Sequence, residues 1–242
     1  ARTIDLVNGE ASSGFTMEGY PHRAIFSMPF QGLTDKGIPT YLNEKGELTS
    51  TDLDFQNRNS NGYLIYEGPT EPTITGSLGN EIKWKNWRLN VFLTYSFGSY
   101  VRLDRIFSAQ YNDLTSMTKE FKNRWMQAGD EETTSVPTIL PYRSYASNRS
   151  LSIAYNAYNY TSNRTAKGDF VRMKEISLGY DFPKAMLRAT PFTNLSLKLQ
   201  ATNLFLIYAD KKLNGQDPEF VNAGGVAAPI PRQFTMTLKF GL

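Results

Sequence analysis

Arg232-Gln233-Phe234-Thr235-Met236-Thr237-Leu238-Lys239-Phe240-Gly241-Leu242 is the stretch that decides the fold. Phe234, Met236, Leu238, Phe240 and Leu242 alternate with Gln233, Thr235, Thr237, Lys239 and Gly241. Successive side chains of an extended strand point to opposite faces, so one face here is apolar and the other polar or small. At about 3.3 Å per residue, a tilted strand of this length crosses a bilayer core.

The same period recurs upstream. Leu195, Leu197, Leu199 and Ala201 alternate with Ser196, Lys198, Gln200 and Thr202. Ile176, Leu178, Tyr180 and Phe182 alternate with Ser177, Gly179 and Asp181. Leu89, Val91, Leu93, Tyr95 and Phe97 alternate with polar or small residues, Phe92 being the exception on that polar face. Ile74, Leu78, Ile82 and Trp84 make a fifth strand, and Ala24, Phe26, Met28 and Phe30 a weaker sixth, interrupted by Ile25 and Pro29. The class is therefore all-β, with about six strands, several longer than the usual five or six residues.

The connections alternate in length. Lys85-Asn86 is a tight turn and Pro183 to Phe192 is short, whereas roughly 32–70, 99–167 and 208–231 are long. Short turns on one side and long loops on the other characterise outer-membrane barrels, the long loops lying outside the cell. Trp84 and Trp87 flank the tight turn, as members of a membrane-interface girdle or as aromatics packing across a hairpin end. Within the long excursion, Leu114, Phe121 and Trp125 have helical spacing behind Asn112 or Asp113 as a cap, so one short loop helix is expected there.

Composition limits the function classes. The 242 residues carry 26 basic and 23 acidic side chains, a net charge of +3, with no basic cluster to hold nucleic acid. Aromatics reach 13%, which suits surfaces half apolar and half wet. There is no cysteine, so thiol catalysis, disulfides and cysteine–zinc sites are excluded. The mean hydropathy of −0.42 is compatible with membrane strands, which are apolar only at alternate residues. No stretch approaches the ~18 apolar residues of a membrane helix. Residues 1–5 do not read as a signal peptide, which is expected to be absent, removed or upstream. His22 is the single histidine and reads as a polar strand-end residue. With no GxGxxG, P-loop or GxSxG pattern, neither an enzyme nor a cofactor is expected.

Two groups of loop residues are candidates for contact with a ligand or a partner. Tyr142, Tyr145, Tyr155, Tyr158 and Tyr160 lie in the long excursion, either stacking on cargo or packing within the loop. Asp217 and Glu219 stand two apart, as turn chemistry or as ligands for Ca²⁺; no metal site is assigned. Asn148, Asn159 and Asn163 each open an Asn-x-Ser/Thr triplet.

About six strands do not close a membrane barrel, since the smallest single-chain examples have about eight. Open edges in lipid would leave backbone N–H and C=O groups unpaired at several kcal/mol each. The chain is thus expected to be one portion of a larger barrel.

Several stretches resemble one family. Asp169-Phe170-Val171-Arg172-Met173-Lys174-Glu175-Ile176-Ser177-Leu178-Gly179-Tyr180-Asp181-Phe182-Pro183 resembles a segment of SusC/RagA-type TonB-dependent transporters. So do Thr202-Asn203-Leu204-Phe205, Asp217-Pro218-Glu219 and Pro231-Arg232-Gln233-Phe234-Thr235, in that order. Arg124-Trp125 with Gly129-Asp130, Gly19-Tyr20-Pro21 through Leu33, and Gly68 with Pro72 and Gly76 complete the series. The chain departs from the usual outer-membrane terminus by ending in Leu242, with Phe240 two residues before it.

The resemblance covers about the last quarter of such a protein. It implies that residues 1–242 are the C-terminal portion of a barrel of about 22 strands, with the plug and N-terminal domains outside this chain. It further implies partners: the rest of the barrel including its plug, a SusD-like surface lipoprotein acting as a lid, TonB, outer-membrane lipid, and oligosaccharide or peptide cargo. The implied location is the outer membrane of a Bacteroidota-like Gram-negative cell, crossed many times, and the implied role is import of oligomeric nutrients. Arg124 and Trp125 join the tyrosines, Asp217 and Glu219 as loop contacts under this reading. The competing expectation is a soluble secreted β-sandwich, a carbohydrate-binding or adhesion module, which would alternate in the same way but stay monodisperse without detergent.

Overall fold

The computed structural model describes residues 2–12, 14–58, 62–108, 118–221 and 230–242, without the side chains at 9–12 and of Tyr145. In chain order these form α1 (Thr3–Ser12), β1 (Ala24–Ser27), β2 (Phe30–Leu33), β3 (Pro39–Leu42), β4 (Leu48–Thr49), β5 (Ile65–Pro69), β6 (Ile74–Trp84), β7 (Trp87–Phe97) and β8 (Tyr100–Arg102). There follow α2 (Tyr142–Ser147), α3 (Arg149–Tyr158), β9 (Thr165–Lys167), β10 (Phe170–Asp181), α4 (Lys184–Leu187), β11 (Asn194–Ala209) and β12 (Gln233–Gly241). They divide into two units: 1–71, 98–167 and 211–215 make the first, and 72–97, 168–210 and 216–242 the second.

The second unit is an antiparallel meander in the order β12-β11-β10-β7-β6. The alternation seen in the sequence becomes rows across the sheet. Ile82, Leu89, Leu178, Leu199 and Met236 are successive cross-strand partners. The next row toward the hairpin end is Trp84, Trp87, Tyr180, Leu197 and Leu238. Between these rows, on the opposite face, run Lys83, Arg88, Gly179, Lys198 and Thr237. Arg88 and Asp181 pair there at 2.5 Å, both about half exposed. One face is therefore mainly apolar across all five strands, interrupted by Gly76 and Asn80 on β6, and the other is mainly charged, hydroxylated or small.

Phe92, the residue that breaks the alternation, sits opposite Gly79. A β-carbon at Gly79 would stand 3.2 Å from the Phe92 ring, so the ring covers the gap left by the missing side chain. On the other face the Tyr95 ring lies across its partner Gly76 in the same way.

The first unit is built differently. Leu6 and Val7 of α1, Ala24 and Phe26 of β1, Met28, Tyr41 of β3, and Ala154 and Ala157 of α3 share one buried core. The Tyr41 hydroxyl donates to the Ala154 carbonyl at 2.6 Å and ties β3 to α3. Here the sixth expected strand is corrected. Residues 24–27 pair with β5, outside the five-stranded sheet, and all four side chains are buried, Ile25 and Ser27 included. A segment buried on both faces has no lipid side. Pro29, which has no N–H to donate, separates it from β2.

The expected loop helix is also corrected in its described part. Residues 109–117, with Leu114 and its caps Asn112 and Asp113, lie outside the described residues. Lys119–Asn123 is a single 3-10 turn, and Arg124 after it is extended. Phe121 is instead taken up against Ile106, Val136 and Tyr158. The helices of the excursion come later, in α2 and α3. Asn148 caps α3 by accepting from the Leu151 amide at 3.1 Å.

Candidate functional site

Two surfaces carry the functional argument, each within one unit. On the sheet, the apolar rows are exposed rather than covered: Phe234 is 77% accessible, Met236 72% and Leu78 62%. At the hairpin end this face turns aromatic. Trp84 and Trp87 are paired across the turn and both exposed. Trp87 stacks obliquely on Tyr180 at 4.6 Å, Tyr180 meets Phe182 edge-on at 5.0 Å, and Phe192 meets Phe240 at 5.4 Å. The Lys85 ammonium lies 4.9 Å over the Trp84 ring. The exposed apolar face thus ends in a group of aromatic rings, Trp84, Trp87 and Tyr180 among them.

The loop candidates fare unevenly. Trp125 is half-buried, and its indole donates to Glu131 Oε2 at 2.8 Å, which holds that carboxyl below its usual range. Its ring lies against Gly37, where a β-carbon would come within 2.6 Å. Gly37 has φ +72°, so the left-handed backbone and the close approach both ask for glycine. Asp130 closes the segment by accepting from the Met126 and Gln127 amides at 2.9 and 3.0 Å. Arg124 rests its guanidinium 5.0 Å over the Phe121 ring. The Arg-Trp…Gly-Asp stretch is thus a self-bonded turn with Trp125 as its wedge.

Of the tyrosines, Tyr142 is exposed, and the side chain of Tyr145 lies outside the described residues. Tyr155 and Tyr158 are each 1% accessible, and Tyr160 is buried. Of the two readings open for these tyrosines, burial of Tyr155, Tyr158 and Tyr160 favours packing within the loop. The three rings pack inside their own loop unit, because α3 turns Ala154, Tyr155, Ala157 and Tyr158 to one face. Burial pushes the Tyr158 phenol up to about 12. The Tyr160 hydroxyl donates to Asn8 Oδ1 and accepts from Arg105, both at 3.0 Å. Asn159 is buried as well: its amide oxygen accepts from the Ile106 and Phe107 amides at 3.1 and 3.0 Å, and its nitrogen donates back to Phe107 at 3.1 Å.

Asp217 and Glu219 are brought together, but around a cation of the protein itself. Arg172 Nη2 donates to Asp217 at 2.5 Å and to Glu219 at 2.8 Å. Two carboxylates committed to a guanidinium are poor ligands for Ca²⁺, and no cluster of three or more potential metal ligands occurs among the described residues. His22 and Arg23 lie on exposed Glu71, at 3.9 and 3.4 Å. From the sequence, Arg172 and Asn159 stood out only as members of their motifs, with no contact assigned, and the buried Arg102 did not stand out at all. Arg102 donates to Ser27 Oγ at 3.0 Å and to the Phe26 carbonyl at 2.7 Å, and burial lowers its pKa to about 10. Arg172 carried little signal of its own, because β10 also holds Lys174, Glu175 and Asp181.

No family profile matches the chain. Two curated relatives do, both from Formosa agariphila. TonB-dependent receptor P3 is 26% identical over 221 residues, spanning 90% of this chain and 20% of the relative. TonB-dependent receptor P39 is 26% identical over 194 residues, 75% of this chain and 17% of the relative. Among solved structures, that of the RagAB peptide transporter matches with a TM-score of 0.64 at 20% identity, over 95% of this chain and 24% of the other. The RagAB peptide importer in its open-open state gives 0.61 at 18% identity. The chain therefore spans about a sixth to a quarter of the proteins it matches, and the structural likeness establishes a shared fold.

Proposed function

This chain is a relative of the TonB-dependent receptors of SusC type, and on that premise we propose that it is the C-terminal portion of an outer-membrane importer for oligomeric nutrients. In this reading β6, β7, β10, β11 and β12 are consecutive staves of one large barrel. The remaining staves, the plug and the part that meets TonB belong to the rest of that barrel. A SusD-like surface lipoprotein sits over the long loops, and the role is transport, not catalysis.

The observation that carries the proposal is the five-strand apolar face, exposed and ending in the Trp84–Trp87 belt. A soluble sandwich would cover that face with a second sheet; among the described residues of this unit there is a single sheet. The two outer strands, β6 and β12, each have one neighbour in the sheet, as staves awaiting others would. For cargo we favour peptide over glycan, because the neighbours of like fold are described as peptide transporters.

The test uses the intact barrel polypeptide. It should fractionate with outer membranes, require detergent for extraction, and co-purify with a lipoprotein. Isothermal titration against mixed oligopeptides and oligosaccharides should give heat with the peptides. A polypeptide that stays monodisperse in buffer without detergent would sink the membrane assignment, and heat with oligosaccharides alone would reverse the cargo.

A further inference from the structure

We propose that Arg172, Asp217 and Glu219 form a two-position strap, in which the Arg172–Asp217 pair stays closed while Glu219 exchanges on and off the same guanidinium. This sets how firmly the connection between β11 and β12 is held, and it does not depend on what the barrel carries.

Arg172 lies on β10, opposite Thr94 of β7 and Leu206 of β11, beside an irregularity in the ladder. Its side chain is 9% accessible and that of Asp217 6%, but that of Glu219 is 39% accessible. The two acids belong to one turn: the Glu219 amide donates to Asp217 Oδ1 at 3.2 Å, and the Phe220 amide to the Asp217 carbonyl at 2.9 Å.

The hydrogen-bond inventory is uneven. One nitrogen, Nη2, serves both carboxylates, while Nε is buried and meets no acceptor among the described residues. One guanidinium also faces two carboxylates, leaving the group one negative charge in excess. A second arrangement uses the same atoms: Nε and Nη2 fork onto Asp217, and Glu219 swings into solvent. The two positions trade one charge-assisted hydrogen bond for another. Breaking a buried pair is strongly unfavourable, so Asp217 is the fixed half. A half-exposed pair is weak and screened by salt, so Glu219 is the half that moves.

Amide hydrogen exchange across Gln216–Val221, in the detergent-solubilised barrel, tests this. Raising salt from about 20 mM to about 0.5 M should speed wild-type exchange of the Glu219 and Phe220 amides roughly two- to fivefold. Glu219→Gln should show the faster rate at both salts. Arg172→Met should be faster by at least about another tenfold. The Ser177 and Gln200 amides, deep in the β10–β11 ladder, serve as the unchanged reference. If Arg172→Met does not assemble, wild type against Glu219→Gln decides, because that change leaves the buried pair intact. Salt-independent wild-type exchange, or a Glu219→Gln protein protected like wild type, overturns the strap.

Discussion

Tyr158 shows how a residue's environment reassigns it. In an Asn-, Ser- and Tyr-rich loop its ring reads equally as a contact for cargo or as packing within the loop; in the folded unit it fills the core beside Phe30 and Ile106. Tyr158→Ala is therefore expected to destabilise the first unit by about 3 kcal/mol or more, and to do so before any effect on binding. Urea melts followed by Trp125 fluorescence measure this. An alkaline test isolates the hydroxyl. The folded pKa, about 12, lies above the ordinary tyrosine value of about 10, so the folded state keeps a proton that the unfolded chain releases. Stability is full below pH 10 and falls as pH rises toward 12, by about 2–3 kcal/mol in all. Tyr158→Phe keeps the ring and removes the titration, so its alkaline decline should be shallower; parallel curves would show that Tyr158 does not govern it. Asn159→Ala should cost about 2 kcal/mol or more, because it strands the Ile106 and Phe107 amides in the interior.

Among elements, the long strands were the most legible part of the chain. Their period-two pattern repeats over nine or more residues, and burial on one side only is what writes such a pattern. The pattern failed at β1, where both faces are buried and composition carries no contrast. It also could not explain Phe92, whose place on the polar face makes sense only once Gly79 is seen beneath it. The two faces predict opposite responses. Met236→Arg, on the apolar row, should reduce barrel stability by about 2–4 kcal/mol, while Thr235→Arg, one residue away on the polar face, should be tolerated. Heat-modifiable electrophoretic mobility distinguishes folded from unfolded barrel for both. Equal loss from the two variants would mean that the faces do not differ in surroundings.

For the whole molecule, the question is where lipid meets the chain. Trp84 and Trp87 are two of its three tryptophans, and both lie at the aromatic end of the sheet. Trp125 belongs to the other unit, held by Glu131. Lipids brominated near the headgroups should quench the fluorescence that the Trp84→Phe/Trp87→Phe variant lacks, and leave Trp125 unquenched. Absence of a quenched difference would remove the girdle. The long excursion was hardest to foresee. It was expected to hold one short helix among loops, yet it folds as part of a unit with its own core, helix α3 and a buried arginine.

The sequence by itself determined the strand periodicity, the short and long connections, and the need for further staves, because each follows from local spacing and from the penalty for unpaired backbone in lipid. Tertiary structure alone decided which aromatics face outward, which carboxylates are already spoken for, and which asparagine is structural. Those outcomes depend on neighbours brought from 45 to 53 positions away, as Arg172 is to Asp217 and Ile106 to Asn159. No window along the chain contains both partners.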